Sequence, residues 1–239
     1  LALWNGKDPI LKERLFGLTN SEGNHGEDVK ECYYYLDATP THSYMRYLYK
    51  YPQSTYPYGD LVATNKARSR CEQEYELVDT GIFAENRYFD VEVEYAKAEP
   101  EDLLIQITVH NRSDQPANLA VLPTLWFRNT WVQDSSAKPL ITAEPSESGS
   151  AKLYATHPDL GDFALHCQGA DELVFTENET NREAIFQQQN QSRYTKCGIN
   201  RYLVNGETAA VNPFKQGTKA SAVYKLSIDA NASAAIQLR

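Results

Sequence analysis

Tyr88-Phe89-Asp90-Val91-Glu92-Val93-Glu94-Tyr95 and, after a break at Glu99-Pro100-Glu101-Asp102, Leu103-Leu104-Ile105-Gln106-Ile107-Thr108-Val109-His110 decide the fold. In the first run Phe89, Val91, Val93 and Tyr95 share one face, and Asp90, Glu92 and Glu94 share the other. Period-two alternation is the pattern of a half-buried β-strand, apolar inward and acidic outward. The second run repeats it, with Leu103, Ile105, Ile107 and Val109 on one face. Asn111 to Asn118 reads as a loop. Leu119 to Phe127 reads as a third strand, in which Pro123 predicts an edge position or a bulge because proline lacks the N–H a ladder needs. The three are expected to be consecutive antiparallel strands.

The same reading extends to both ends. Leu1-Ala2-Leu3-Trp4, then Asn5-Gly6, then Ile10 to Phe16 has the form of a hairpin. The chain is therefore expected to be cut from a longer one, starting within a strand. Lys152 to Thr156, Phe163 to Cys167 and Leu173 to Thr176 are short strand candidates, and Gln133 to Ser150 is expected to be a long loop or short hairpin. Ala222 to Ile228 and Ala234 to Leu238 predict a closing hairpin across Asp229–Ser233. Helical character is confined to Leu61–Arg70 and Thr180–Tyr202, with capping-box spacing at Thr180 and Glu183. Many short strands and few helices predict an all-β, antiparallel β-sandwich with long loops and one or two short helices, residues 1–239 forming a single domain.

Composition narrows the function. The 41% hydrophobic and 23% charged residues belong to a globular chain. A net charge of −9 argues against a nucleic-acid partner, since phosphate binding needs a basic face. No apolar run reaches the roughly 18 residues of a membrane-spanning helix. Cys32, Cys71, Cys167 and Cys197 have no CxxC spacing, so free, buried thiols are expected rather than a zinc or redox site.

Nine of the sixteen tyrosines fall between Tyr33 and Tyr58. Tyrosine joins a flat ring to a hydroxyl and suits interfaces and sugar-stacking platforms, so this density predicts a surface that meets a ligand or another domain. Upstream, Asn24, His25, Glu27 and Asp28 lie close together, and Asp37, His42, Tyr35 and Tyr44 follow. His25-x-Glu27 has half the pattern of a metal site, but a polar loop accepting backbone hydrogen bonds is the simpler reading, and neither metal nor cofactor is expected. Paired carboxylates there could serve acid/base chemistry on a glycosidic bond, a weak signal in a chain with 32 acidic residues, so no catalytic residue is assigned. Trp126-Phe127-Arg128-Asn129-Thr130-Trp131 is a second group: Trp126 and Trp131 suit stacking and Arg128 donates directionally, although a sandwich end packed against a neighbour is the favoured reading of the run. Arg87 is either an ion-pair partner or a contact to the first loop.

Several long motifs resemble the N-terminal region of large bacterial proteins similar to glycoside hydrolase family 63, the mannosyl-oligosaccharide glucosidase group. They are Lys12–Leu18, Gly23–Glu31, Leu36–Met45, Asp79–Gly81, Asn86–Val91, Leu122–Trp131 and Thr176–Asn181. The resemblance implies a supersandwich-like N-terminal domain followed by an (α/α)6 barrel that carries an acid and a base carboxylate. On this expectation the chain is a non-catalytic domain, truncated at both ends, of a cytoplasmic bacterial α-glucosidase-like enzyme. Its partner would be the barrel of the same polypeptide. The alternative is an independent carbohydrate-binding module that takes an oligosaccharide. An exposed tyrosine face would also promote a homodimer of the isolated chain.

Overall fold

The structure, a computed structural model, describes residues 1–13, 31–134, 137–144 and 150–239, with Gln133, Asp134, Glu144 and Ser150 described by backbone only. The strands are β1 (Ala2–Trp4), β2 (Lys12–Glu13), β3 (Cys32–Ala38), β4 (Tyr44–Pro52), β5 (Tyr88–Glu99), β6 (Asp102–Asn111), β7 (Ala117–Leu122), β8 (Thr124–Trp126), β9 (Leu140–Glu144), β10 (Ser150–His157), β11 (Gly161–Gln168), β12 (Glu172–Thr176), β13 (Gln216–Gly217), β14 (Lys219–Ile228) and β15 (Ser233–Leu238). The helices are α1 (Tyr58–Ala67), α2 (Trp131–Asp134), α3 (Arg182–Phe186) and α4 (Gly198–Asn205). The strands form two antiparallel sheets: six strands ordered β12-β14-β7-β1-β2 with β8 also on β14, and nine ordered β13-β9-β10-β11-β15-β6-β5-β4-β3. This is the all-β sandwich that the alternation predicts.

The core lies between the sheets. Phe89, Val91, Val93, Ile107 and Val109 from the large sheet meet Leu3, Leu119, Val121 and Tyr224 from the small one. Each such aliphatic or aromatic side chain removed from water contributes about 1.5–3 kcal/mol. In the outward acidic row of β5, Asp90 and Glu92 are neutralised across the strands. Lys50 and Arg112 bond Asp90 at 2.6 and 2.7 Å, and Arg46 Nε bonds Glu92 at 3.0 Å. The outer face of the small sheet is covered by α4, whose Ile199 packs with Ala120, Leu122 and Val174; Gly206, in the left-handed region at φ 71°, ends that helix.

Several expectations are corrected. β5 and β6 do pair, but the next strand, β7, crosses to the small sheet, and β6 has β15 as its other neighbour. The closing hairpin is likewise a crossover, with β14 in one sheet and β15 in the other. Each of these strands has an apolar face that either sheet could bury, so local pattern does not choose between them. Pro123 makes no bulge, and β8, which follows it, pairs with β14 alone among the described residues, as an edge position would. Tyr224↔Val121 and Ser221↔Thr124 keep one register through it, and Ala222 N–H donates to Pro123 O at 3.1 Å with no N–H to return. Of the two readings of Gln133–Ser150 the hairpin is the one that holds, since the stretch includes β9, paired antiparallel with the next strand, β10. At the first helix beyond β12, Asn181 rather than Thr180 caps, accepting from Ala184 N at 3.2 Å. β1 and β2 pair as expected, but through a longer connection than a two-residue Asn-Gly turn. Arg14 to Phe16 lie outside the described residues.

Candidate functional site

One end of the sandwich draws together two segments far apart in sequence. Beyond β8, Asn129 Nδ2 donates to Asn178 O at 2.9 Å, and Asn178 Nδ2 donates back to Phe127 O at 2.8 Å. This reciprocal amide clasp fixes the Phe127–Trp131 run against the segment leaving β12. Trp131 Nε1 then donates to Glu179 Oε1 at 2.9 Å. Lys138, from the approach to β9, reaches Glu179 Oε1 at 3.0 Å and Glu177 Oε2 at 3.1 Å, and Thr218 Oγ1 donates to Glu177 Oε2 at 2.7 Å. Burial disfavours the Lys138 ammonium, but its bonds to Glu179 and Glu177 outweigh that and hold its pKa above the usual lysine value. Glu179 is 6% exposed, and its second oxygen, Oε2, is buried and accepts no hydrogen bond. An open cleft of about 250 Å³ lies beside it, lined by Asn129, Val132, Glu179, Thr180, Arg182 and Gln191.

Sequence reading singled out Trp126, Arg128 and Trp131 at this end. Trp131 enters the cluster as a hydrogen-bond donor, Trp126 is partly exposed at the end of β8, and Arg128 is exposed. It missed Glu177, Glu179 and Lys138. The polar run Glu177-Asn178-Glu179 directly after an apolar strand was the available signal; Lys138 lay in a stretch read as a long loop or short hairpin.

The other predicted residues are dispersed. Asn24, His25, Glu27 and Asp28 lie outside the described residues. Arg87 pairs with Glu85 at 2.8 Å, both exposed, which favours the ion-pair reading. The register Tyr44↔Ala96 and Pro52↔Tyr88 puts Tyr44 and Arg87 at opposite ends of the β4–β5 pair. Tyr35 and Asp37 are exposed on β3, an edge strand, and His42 occupies the β3–β4 turn at φ 51°, donating its N–H to Thr39 O at 2.9 Å. The tyrosine surface is corrected most. Tyr47, Tyr49 and Tyr51 point inward along β4 and are buried, as is Tyr56, while Tyr34 and Tyr35 are half exposed. A dry core admits the Tyr51 hydroxyl because an acceptor is supplied: Tyr51 Oη donates to the buried Asp8 at 2.6 Å, and burial together with that carboxylate raises the phenol's pKa. Of the cysteines, none of which is in a disulfide, Cys167 is buried and Cys71 exposed.

Tyr44 belongs to a second arrangement, on the outer face of the large sheet. Its hydroxyl donates to Glu94 at 2.6 Å, Gln106 Nε2 reaches Glu94 at 3.5 Å, and Gln237 Nε2 reaches Gln106 at 3.3 Å. This ladder spans β4, β5, β6 and β15 and borders an open cleft of about 510 Å³, completed by Leu104, His166 and Arg239. Among the described residues no three His, Cys, Asp or Glu side chains are grouped to hold a metal ion, and no helix is long and apolar enough to cross a membrane.

No family model matches the chain. It is similar to an uncharacterized protein of Saccharomyces cerevisiae, 44% identical over 257 residues, an alignment that covers 94% of this chain and 24% of that protein. The chain thus spans about a quarter of the length of the curated relative it matches.

Proposed function

We propose that this chain is a non-catalytic N-terminal β-sandwich domain of a larger glycoside hydrolase, α-glucosidase-like, that packs on and supports a catalytic barrel of the same polypeptide. The observation that carries the reading is the clasp between Leu122–Trp131 and Thr176–Asn181. Two motifs of the family-63 resemblance, separated in sequence, form one hydrogen-bonded end of the sandwich. The much greater length of the yeast relative supports a further domain. The test is to express the full-length polypeptide and follow hydrolysis of α-glucosides and thermal unfolding. Hydrolysis, with the sandwich unfolding in the same transition as the remainder, is the expected result. No glycosidase activity, or a sandwich that melts independently, overturns the reading.

A second reading, an independent carbohydrate-binding module, is favoured by the outer-face cleft. Its carboxylate, amides, tyrosine ring and leucine are the mixture that neutral sugars engage, and its volume falls in the range of about 300–1,000 Å³ of small-molecule sites. Calorimetry of the chain with gluco-oligosaccharides, with Tyr44→Ala and Gln106→Ala as controls, decides it.

A further inference from the structure

We propose that the end of the sandwich around the Glu179 cleft is the surface on which the remainder of the longer polypeptide docks, and that the docking segment is apolar and brings one uncharged hydrogen-bond donor to Glu179. This rests on the proposed function and names the surface and chemistry of that contact.

Three observations converge. The first is the carboxylate. Glu179 is held by Trp131 and Lys138 through one oxygen only; the other is buried without a donor. Leaving a buried acceptor unsatisfied costs about 1–3 kcal/mol, more for a charged group, and a donor entering the adjoining cleft would remove that cost. The second is apolar exposure beside the cleft. Val132 lines it and is 41% exposed. Arg182 lines it too, and on α3 residues three and four positions on share its helix face. Those residues are Ile185 and Phe186, 61% and 59% exposed. Adjacent exposed aliphatic and aromatic side chains rimmed by polar groups mark contact surfaces. The third is charge. Glu177 and Glu179 are balanced in number by Lys138 and Arg182, so a further cation or anion would enter a neutral cluster at a desolvation cost. An uncharged donor, hydroxyl or amide, does not incur it. The occupant is the rest of the polypeptide because the matched relative carries about three quarters of its length outside the region this chain covers.

The experiment is hydrogen exchange on the full-length polypeptide, read at α3 and α2, for the parent, the double variant Ile185→Asp/Phe186→Asp, Glu179→Gln, and the outer-face control Leu104→Asp. Both α3 side chains are exposed in the sandwich, so their replacement leaves its fold intact. The expected result is protection of α3 in the parent, at least tenfold faster exchange in the double variant and in Glu179→Gln, and no change at α3 in the control. The glutamine places an N–H where the free oxygen stands and so opposes a donor. Exchange at α3 in the parent as fast as in an exposed helix overturns the proposal. So does protection that none of the α3 or Glu179 changes lowers, or protection that appears only at high protein concentration, which would mark a second copy as the occupant. If the sandwich still unfolds together with the remainder in any of those cases, the proposed function stands and only this surface is refuted.

Discussion

Replacing Lys138 by methionine tests the electrostatics of the clasped end. The ammonium lies 3.0 Å from Glu179 and 3.1 Å from Glu177, whose side chains are 8% and 17% exposed. Methionine keeps most of the stem and removes the charge. At 3 Å the gross attraction is about 5 kcal/mol per contact for an effective dielectric constant near 20. Breaking a fully buried pair costs about 3–5 kcal/mol, but Lys138 is 41% exposed, and solvent-screened pairs give only about 0.2–1 kcal/mol. One screened cation holding two poorly solvated carboxylates falls between these limits, at about 2 kcal/mol, or a Tm lower by about 4–8 °C for a chain of this size. The lysine pKa is raised by folding, so its stabilisation is fully present below the usual value of 10.5 and is lost as pH rises through the folded value. The deficit of the variant should therefore be constant between pH 7 and 9 and shrink above 10.5. Urea unfolding followed by tryptophan fluorescence measures it, and adding Glu177→Gln to the variant should recover about half. A deficit below about 0.5 kcal/mol at pH 7.5, or one unchanged when both Glu177 and Glu179 are glutamine, would refute the reasoning.

Asp8→Ala orphans two groups that now bond its carboxylate at 2.6 Å, the Tyr51 hydroxyl and the Tyr56 N–H, and should cost about 2–4 kcal/mol in urea titration. Gly217→Ala would put a Cβ 2.2 Å from the Thr176 carbonyl oxygen, so the strand must shift; we expect a loss of about 2 kcal/mol or more, whereas Gly59→Ala, facing open space, costs far less. In native protein at pH 8 a thiol reagent should label exposed Cys71 promptly and leave Cys167 untouched until unfolding, because burial pushes the Cys167 thiol up to about 12. Rapid native labelling of Cys167 would contradict the closed core around it.

Much of the fold was legible because strand alternation is a local property. Phe89, Val91 and Val93 on one side and Asp90, Glu92 and Glu94 on the other stand in the structure as the period predicts. The burial of Tyr47, Tyr49 and Tyr51 was legible in the same way, since they alternate with Leu48 and Lys50. Period outranks residue type along β4, and at Tyr51 the buried Asp8 supplies the acceptor its hydroxyl needs. The clasped end was only half legible: Trp131 stood out by its chemistry, while Glu179 and Lys138 gain meaning from each other across 41 residues of sequence.

By itself the sequence determined that Tyr88–Tyr95 and Leu103–His110 are strands, which face of each is apolar, and that the chain buries such faces as a sandwich; β3 and β4, in the tyrosine-rich stretch, were not read from it. Only the tertiary structure decided the sheet to which each strand belongs, sending β7 and β14 to one and β6 and β15 to the other. It also decided that Trp131, Lys138, Glu177 and Glu179 would share one end. The physical reason is that an apolar face is satisfied by any apolar partner, so the choice of partner rests on contacts summed over the whole core rather than on any single stretch.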